Sequence, residues 1–275
     1  MYIPFEIERF EVRGLLGMGG EGQVYLLYDK EKMRMVAAKV SEDAERLKQQ
    51  MLLLQQMGEE ICPVVYGMET VEGKPVLYME YVLGESLEQY RMRRGQLGAK
   101  EAVMLLARIM DAICLVHQKG VTYLDIKPSN IFLRADGRIC LLDFGAARKT
   151  GSHGKVSGGT YGYAAPEQFW TGVKADERSD VYAMGKLLVY LVTDKNPAHP
   201  PYEDHLFLRD MEPAMRDIVL ACTNSDMQKR YRDLLSLKKA LYDVLLRKRS
   251  WFFREKRCGD IICEKSIWKS DYLRE

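Results

Sequence analysis

The sequence predicts an α+β chain in two unequal parts: a small antiparallel sheet with one main helix, then a larger, mainly helical region. From about residue 10 to residue 82, short β-branched and aromatic runs alternate with Gly-containing turns, which is the pattern of paired strands. Beyond "LGES", apolar residues recur at helical spacing over long segments. At 275 residues the chain can bury a full core, as one large domain or as two lobes.

The strand-like runs are "FEVRGLLG", "QVYLLYD", "RMVAAKV", "VVYGME" and "PVLYMEYV". Between the third and fourth lies "SEDAERLKQQMLLLQQMG", where Leu47, Met51, Leu54 and Met57 share one helical face, Ser41 is the expected N-cap and Gly58 the stop. The later helices are "SLEQYRMRRG", "AKEAVMLLARIMDAICLVHQKG", "DVYAMGKLLVYLVT", "MEPAMRDIVLACT" and "YRDLLSLKKALYDVLLRKR". "RICLLDFG" reads as a hairpin strand, and the Gly/Ser-rich "AARKTGSHGKVSGGTYGYAAPEQ" is too long for an ordinary connection, which marks a functional or mobile segment.

Bulk numbers exclude several classes. Hydrophobic residues at 47% and charged residues at 29% are ordinary for a soluble globular protein, and a formal charge of +2 gives no reason to expect a nucleic-acid partner. The six cysteines are scattered without a CxxC pair, so reduced structural thiols in a cytoplasmic setting are expected. No apolar run reaches the ~18 residues of a membrane span, and "MYIPFEIERF" has no basic region followed by an apolar one, so a soluble, unprocessed chain is expected.

Chemistry concentrates in a few motifs. "LLGMGGEGQVYLLYD" sets Gly17, Gly19 and Gly22 in G-x-G-x-x-G-x-V spacing between two strand-like runs. Glycines there let backbone N–H groups approach a phosphate, since no Cβ intervenes; an unliganded Gly-rich hairpin is the plainer alternative, and the lack of a following helix disfavours a dinucleotide fold. "VAAK" ends an apolar strand on Lys39, whose ammonium either snorkels to solvent or meets a phosphate or carboxylate. "YLDIKPSN" supplies Asp125, Lys127 and Asn130, and "LLDFG" supplies Asp143; two carboxylates and an amide oxygen suit Mg²⁺, a hard cation that prefers oxygen.

Each motif alone is a weak signal. The ordered set of Gly loop, strand lysine, D-x-K-x-x-N, D-F-G and A-P-E resembles the eukaryotic-like (Hanks-type) Ser/Thr protein kinases, over about residues 9 to 247. The resemblance implies a bilobal fold, with an N-lobe over about 9–79, a hinge at 80–84, a C-lobe over 85–247 and a tail at 248–275. It implies ATP and Mg²⁺ as cofactors and a protein hydroxyl as acceptor. Gly17, Gly19 and Gly22 would cover the phosphates and Lys39 would hold the α/β-phosphates. Asp125 would orient the acceptor hydroxyl and take its proton, Lys127 would stabilise the transferring phosphoryl, and Asn130 with Asp143 would hold Mg²⁺. Leu16, Val24 and Ala37 would roof the adenine and Phe132 floor it, with Met79 as gatekeeper and Glu80 to Val82 as hinge backbone. Asp180 would hold the catalytic-loop backbone, and Glu167 would pair with Arg230. Lys127 together with Thr160 resembles the Ser/Thr rather than the Tyr members.

The sequence departs from the family pattern at three places. H-R-D reads Tyr123-Leu124-Asp125, a non-RD variant: the tyrosine is expected to pack on Phe144, and Leu124 removes the arginine that would pair with a phosphorylated activation loop. The helix glutamate expected to pair with Lys39 is replaced by Gln50, since Glu45 projects off the apolar face; a neutral amide is expected to hold Lys39 less firmly than an ion pair. The segment from Asp143 to Glu167 is rich in glycine, and mobility is expected there. These departures raise the rival expectation of a nucleotide-binding pseudokinase that acts as a scaffold. The basic, aromatic run from Arg247 to Arg257 admits an anionic membrane surface, a partner, or packing back onto the chain, and the last is favoured because Trp251, Phe252, Phe253 and Trp268 offer apolar surface.

Overall fold

The computed structural model describes residues 9–20, 22–151, 159–170, 175–198, 208–209 and 211–255, with 247–255 as backbone. Its first part is a five-stranded antiparallel sheet of β1 (Phe10–Gly19), β2 (Gly22–Asp29), β3 (Arg34–Val40), β4 (Val65–Val71) and β5 (Lys74–Glu80), in the order β1-β2-β3-β5-β4. Helix α1 (Ala44–Met57) lies between β3 and β4.

Register sorts the side chains of this sheet. Val24 stands opposite Lys39, Ala37 opposite Met79 and Lys39 opposite Leu77, so these residues share one face, and Ala37, Leu77 and Met79 join the main core there. The alternate positions Tyr25, Leu27, Val36, Ala38, Val40, Val76 and Tyr78 form a second apolar cluster on the opposite face, closed by Phe10 stacked on Tyr78. With both faces covered, these strands lose the polar alternation of a half-exposed sheet.

Helix α1 starts later than the sequence suggests. Asp43, not Ser41, is the N-cap: its carboxylate accepts from Arg46 N at 2.9 Å. Ser41 Oγ instead accepts from Asp43 N at 3.2 Å, a local turn that uses up the hydroxyl before the helix begins. Gly58 ends the helix as expected, and Leu47, Gln50, Leu54 and Met57 form the buried face.

The second part begins with β6 (Gly84–Ser86), which joins β8 (Ile131–Arg134) and β9 (Ile139–Leu141) in a three-stranded sheet. Helix α2 (Leu87–Arg94) follows under a reciprocal Ser86/Gln89 capping box, then α3 (Ala99–Gln118). The pair β7 (Val121–Thr122) and β10 (Arg148–Lys149) brackets the loop that carries Asp125. Helix α4 (Glu177–Val192) starts three positions before the expected Asp180, because Asp176 caps it by accepting from Arg178 N at 2.9 Å. Helix α4 is buried nearly all round and packs on α3, α5 (Pro213–Cys222) and α6 (Leu234–Glu255). The backbone of α6 runs on past Arg247, where the family-like region was expected to end.

Cys62, Cys140 and Cys222 are buried free thiols, and Cys114 is a half-buried one. Burial pushes the Cys140 thiol up to about 12, so it stays protonated. Residues 152–158, Cys258, Cys263 and the side chains of the 247–257 run, with Trp268, lie outside the described residues. Among the described residues no helix is long and apolar enough to cross a membrane.

Candidate active site

Lys39 is 5% exposed, on the sheet face that looks toward α1. A buried ammonium needs anionic or carbonyl partners, and it meets both kinds here: Gln50 Oε1 at 2.8 Å and Asp143 Oδ1 at 3.3 Å. Gln50 reaches it because it sits on the buried face of α1, one turn after Leu47. Its Nε2 also donates to Asp143 Oδ1 at 2.9 Å, and Gly145 N donates to the same oxygen at 3.0 Å. As expected, the neutral amide of Gln50 hydrogen-bonds the Lys39 ammonium without supplying an ion pair, and Asp143 stands within ion-pair distance of the same ammonium.

The loop from Tyr123 to Asn130 is fixed from below by α4. Asp180, fully buried, accepts from Tyr123 N at 2.9 Å and Leu124 N at 2.8 Å, as the family pattern implies. His117 of α3 meets the same carboxylate at 2.7 Å. Burial opposes charge on His117, but the hydrogen bond to Asp180 and the nearby Glu177 and Asp176 outweigh it and raise its pKa above the ordinary value. Tyr123 packs edge-on against Phe144, ring centroids 4.9 Å apart, and burial pushes its phenol well up.

Leu124 is 3% exposed and has φ 65°, the left-handed region that a leucine seldom occupies. Its carbonyl accepts from Gln168 Nε2 at 2.8 Å, and Gln168 Oε1 in turn accepts from Ala165 N at 3.0 Å. Both ends of this residue are therefore pinned, by Asp180 and by Gln168. Asp125, the next residue, is half-buried while Leu124 is buried.

Around Asp125 the predicted residues converge. Asn130 Nδ2 donates to Asp125 Oδ2 at 2.6 Å and to its carbonyl at 3.0 Å, and Lys127 Nζ lies 2.9 Å from Oδ2. Thr160 Oγ1 donates to Asp125 Oδ1 at 2.9 Å and accepts from Lys127 Nζ at 2.9 Å. Asn130 lies in a short 3-10 turn, Pro128–Asn130, and its carbonyl accepts from Leu142 N at 3.0 Å, which ties this loop to the strand that delivers Asp143.

The donor set suits a hard cation. Asn130 spends its N–H group on Asp125, leaving its amide oxygen for a metal, and the hydrogen bonds that Asp143 receives from described residues all fall on Oδ1, leaving Oδ2. Asp143 is 32% exposed in its side chain, open enough to share a cation with phosphate oxygens.

The residues expected to face a nucleotide follow the sheet. Val24 and Ala37 share the face of Lys39 and Met79; Met79 and Val82 are buried, Phe132 is half-buried, and Leu16 is exposed. Glu80 turns its side chain to Arg134 in a two-pronged ion pair at 2.5 and 2.9 Å, which holds the carboxyl below its usual range and leaves only its backbone to meet a base. Gly22 has φ +129°, and a Cβ there would fall 2.0 Å from the Val40 carbonyl oxygen; Gly17 and Gly19 have open space instead. Farther off, Glu167 and Arg230 form the expected pair at 2.6 and 2.8 Å, with Ser179 Oγ adding 2.6 Å.

Sequence reasoning missed His117, Arg134 and Gln168. Motif spacing gave no sign of them, because each reaches a partner at least 44 positions away: His117 on Asp180, Arg134 on Glu80 and Gln168 on the Leu124 carbonyl.

Comparison with known proteins agrees with this geometry. The protein kinase domain family matches residues 10–259. The serine/threonine-protein kinase PknD of Chlamydia muridarum is 29% identical over 90% of this chain, and PknD of Mycobacterium tuberculosis is 32% identical over 70% of it. The serine/threonine-protein kinase PrkC of Bacillus subtilis is 31% identical over 69%. The chain spans about a third of the length of these relatives: 33%, 30% and 31%.

Proposed function

The chain belongs to the protein kinase domain family, and from that premise we propose that it is a serine/threonine protein kinase that uses Mg-ATP. The observation that carries the reading is the hydrogen-bonded group of Asp125, Lys127, Asn130 and Thr160, tied through Leu142 to the Lys39–Gln50–Asp143 group. Similarity to curated serine/threonine kinases supports the acceptor class.

In this reading Asp125 orients the acceptor hydroxyl and takes its proton as the new O–P bond forms, a carboxylate becoming a carboxylic acid. Thr160 occupies Asp125 Oδ1 until an acceptor hydroxyl competes for that oxygen. Lys127 offsets negative charge on the transferring phosphoryl, and Lys39 holds the α/β-phosphates beneath the backbone N–H groups of the Gly17–Gly22 loop. Asn130 and Asp143 would hold Mg²⁺, which neutralises charge on the phosphate oxygens. The scaffold alternative drew on a weakly held Lys39; its contacts at 2.8 and 3.3 Å support catalysis instead.

The test is phosphate transfer from labelled ATP to a generic protein acceptor. Asp125→Asn is expected to lose it by several orders of magnitude, and a wild type no better than this variant would overturn the reading in favour of a scaffold. Leu124 offers no charge to a phosphorylated loop, so turnover is proposed to be independent of loop phosphorylation through that contact. Alanine at Thr150, Ser152 or Ser157 should change turnover less than about tenfold, or ~1.4 kcal/mol in barrier. A loss of several orders of magnitude in any of them would exclude this independence.

A further inference from the structure

The outer face of the five-stranded sheet, opposite Val24, Ala37 and Lys39, carries a cavity of about 250 Å³ near the β2–β3 turn. Register sets Asp29 against Arg34 on this face, two residues beyond Leu27 on one strand and two before Val36 on the other. A bulge in β4 leaves Tyr66 without a cross-strand partner, and Tyr66 packs on the outer apolar cluster. The Arg34 guanidinium lies over the Tyr66 ring, 3.5 Å from its centre. Phe10, stacked on Tyr78, and Val36 supply the apolar wall.

The charges that line this cavity do not cancel. Asp29 stands opposite Arg34 but is already engaged: Arg9 Nη2 donates to its Oδ2 at 3.1 Å, and the amides of Glu31 and Lys32 donate to its Oδ1 at 3.1 and 3.2 Å. Among the described residues neither Arg34 nor Lys32 forms an ion pair, and the buried Arg34 Nε has no hydrogen-bond partner. Glu69 is the one lining carboxylate outside any ion pair there. Two unengaged cations against one unengaged carboxylate leave a single positive charge beside aromatic rings. A guanidinium stacked on a ring keeps its in-plane N–H edges for an oxyanion. We infer that this cavity binds a small organic monoanion, a carboxylate on an apolar body, with Arg34 and Lys32 holding the carboxylate and Phe10, Tyr78 and Val36 seating the rest. Its volume lies below the roughly 300 Å³ at which drug-sized sites begin, which fits a fragment rather than a nucleotide. Glu69 would repel the second charge of a phosphate, so the single charge of a carboxylate is the better match.

The probe is hydrocinnamate, a phenyl ring on a propionate, titrated into the isotope-labelled full chain and followed by amide NMR. Hydrocinnamamide serves as the neutral analogue and phenylphosphonate, above its second pKa, as the dianion. Binding is read without nucleotide or turnover, so its outcome is independent of the kinase reading. Saturable shifts are expected at Arg34, Val36, Tyr66 and Gly67, with Kd of the order of a few millimolar. The amide and the phosphonate should each bind at least about fivefold more weakly, and Arg34→Gln should weaken hydrocinnamate about tenfold. An amide that binds as tightly as the acid shows an apolar seat alone and overturns the inference, and a phosphonate that binds more tightly overturns the monoanion assignment. Three further results overturn it: no saturable shift, shifts confined to the Lys39 face, or shifts that track protein concentration and so assign this face to a second copy of the chain. If Arg34→Gln does not fold, the comparison of acid with amide on the wild-type protein decides alone.

Discussion

Arg230 and Glu167 stand 63 positions apart, and each is almost wholly removed from water, at 0% and 2% side-chain exposure. Two parallel hydrogen bonds join them, and Arg230 also donates to the carbonyls of Asn224 and Arg178. A buried pair of this kind stabilises little relative to an apolar substitute, but removal of one partner strands the other charge. Arg230→Met is therefore expected to lose about 3–5 kcal/mol in urea unfolding, and a loss under ~1 kcal/mol would show that Glu167 finds another partner. At the same scale, Leu124 is legible in sequence only as a missing arginine. Its positive φ, with the amide on Asp180 and the carbonyl on Gln168, depends on residues 56 and 44 positions away. Such a backbone costs roughly 1–3 kcal/mol, which the surrounding bonds must offset.

Among the elements, the β1–β2 hairpin separates two uses of glycine that the G-x-G-x-x-G-x-V spacing merges. A Cβ on Gly22 would collide with the backbone of β3 and would sit at a φ that L residues avoid, whereas a Cβ on Gly17 or Gly19 meets nothing within 4 Å. Gly22→Ala should destabilise the nucleotide-free protein by about 1–3 kcal/mol, while Gly17→Ala and Gly19→Ala stay within roughly 0.5 kcal/mol. Thermal unfolding of the three variants without ATP checks this, and equal effects would contradict it. Any loss of ATP affinity at Gly17 or Gly19 then reports close phosphate approach rather than folding. Helix α1 gives the complementary lesson: its buried face was legible from periodicity, but its N-cap was not, since Ser41 and Asp43 are both good caps and the local turn decided between them.

For the whole molecule, α4 is the member on which the site rests. One carboxylate, Asp180, holds the Tyr123–Leu124 backbone and also receives His117 from α3, so the loop, α3 and α4 meet at a titratable point. The folded pKa of His117 is raised, so its protonated form contributes stability that is complete below the unfolded value of about 6.5 and is lost as pH rises through the folded value. The urea stability gap between wild type and His117→Asn should therefore be widest near pH 6 and narrow toward pH 9. A gap that widens with pH would contradict the assignment, although a neutral imidazole can still donate to Asp180. What the sequence by itself determined was the order of the first five strands and of the main helices, and the motif residues that gather around Lys39 and Asp125, because periodicity and motif spacing are local. Only the tertiary structure decided how those residues are held: Gln50 between Lys39 and Asp143, Leu124 between Asp180 and Gln168, Glu80 on Arg134. Those contacts join residues that only the packing of sheet, α1 and α4 brings together, and burial makes each of them necessary, since a polar group withdrawn from water must find its partner within the fold.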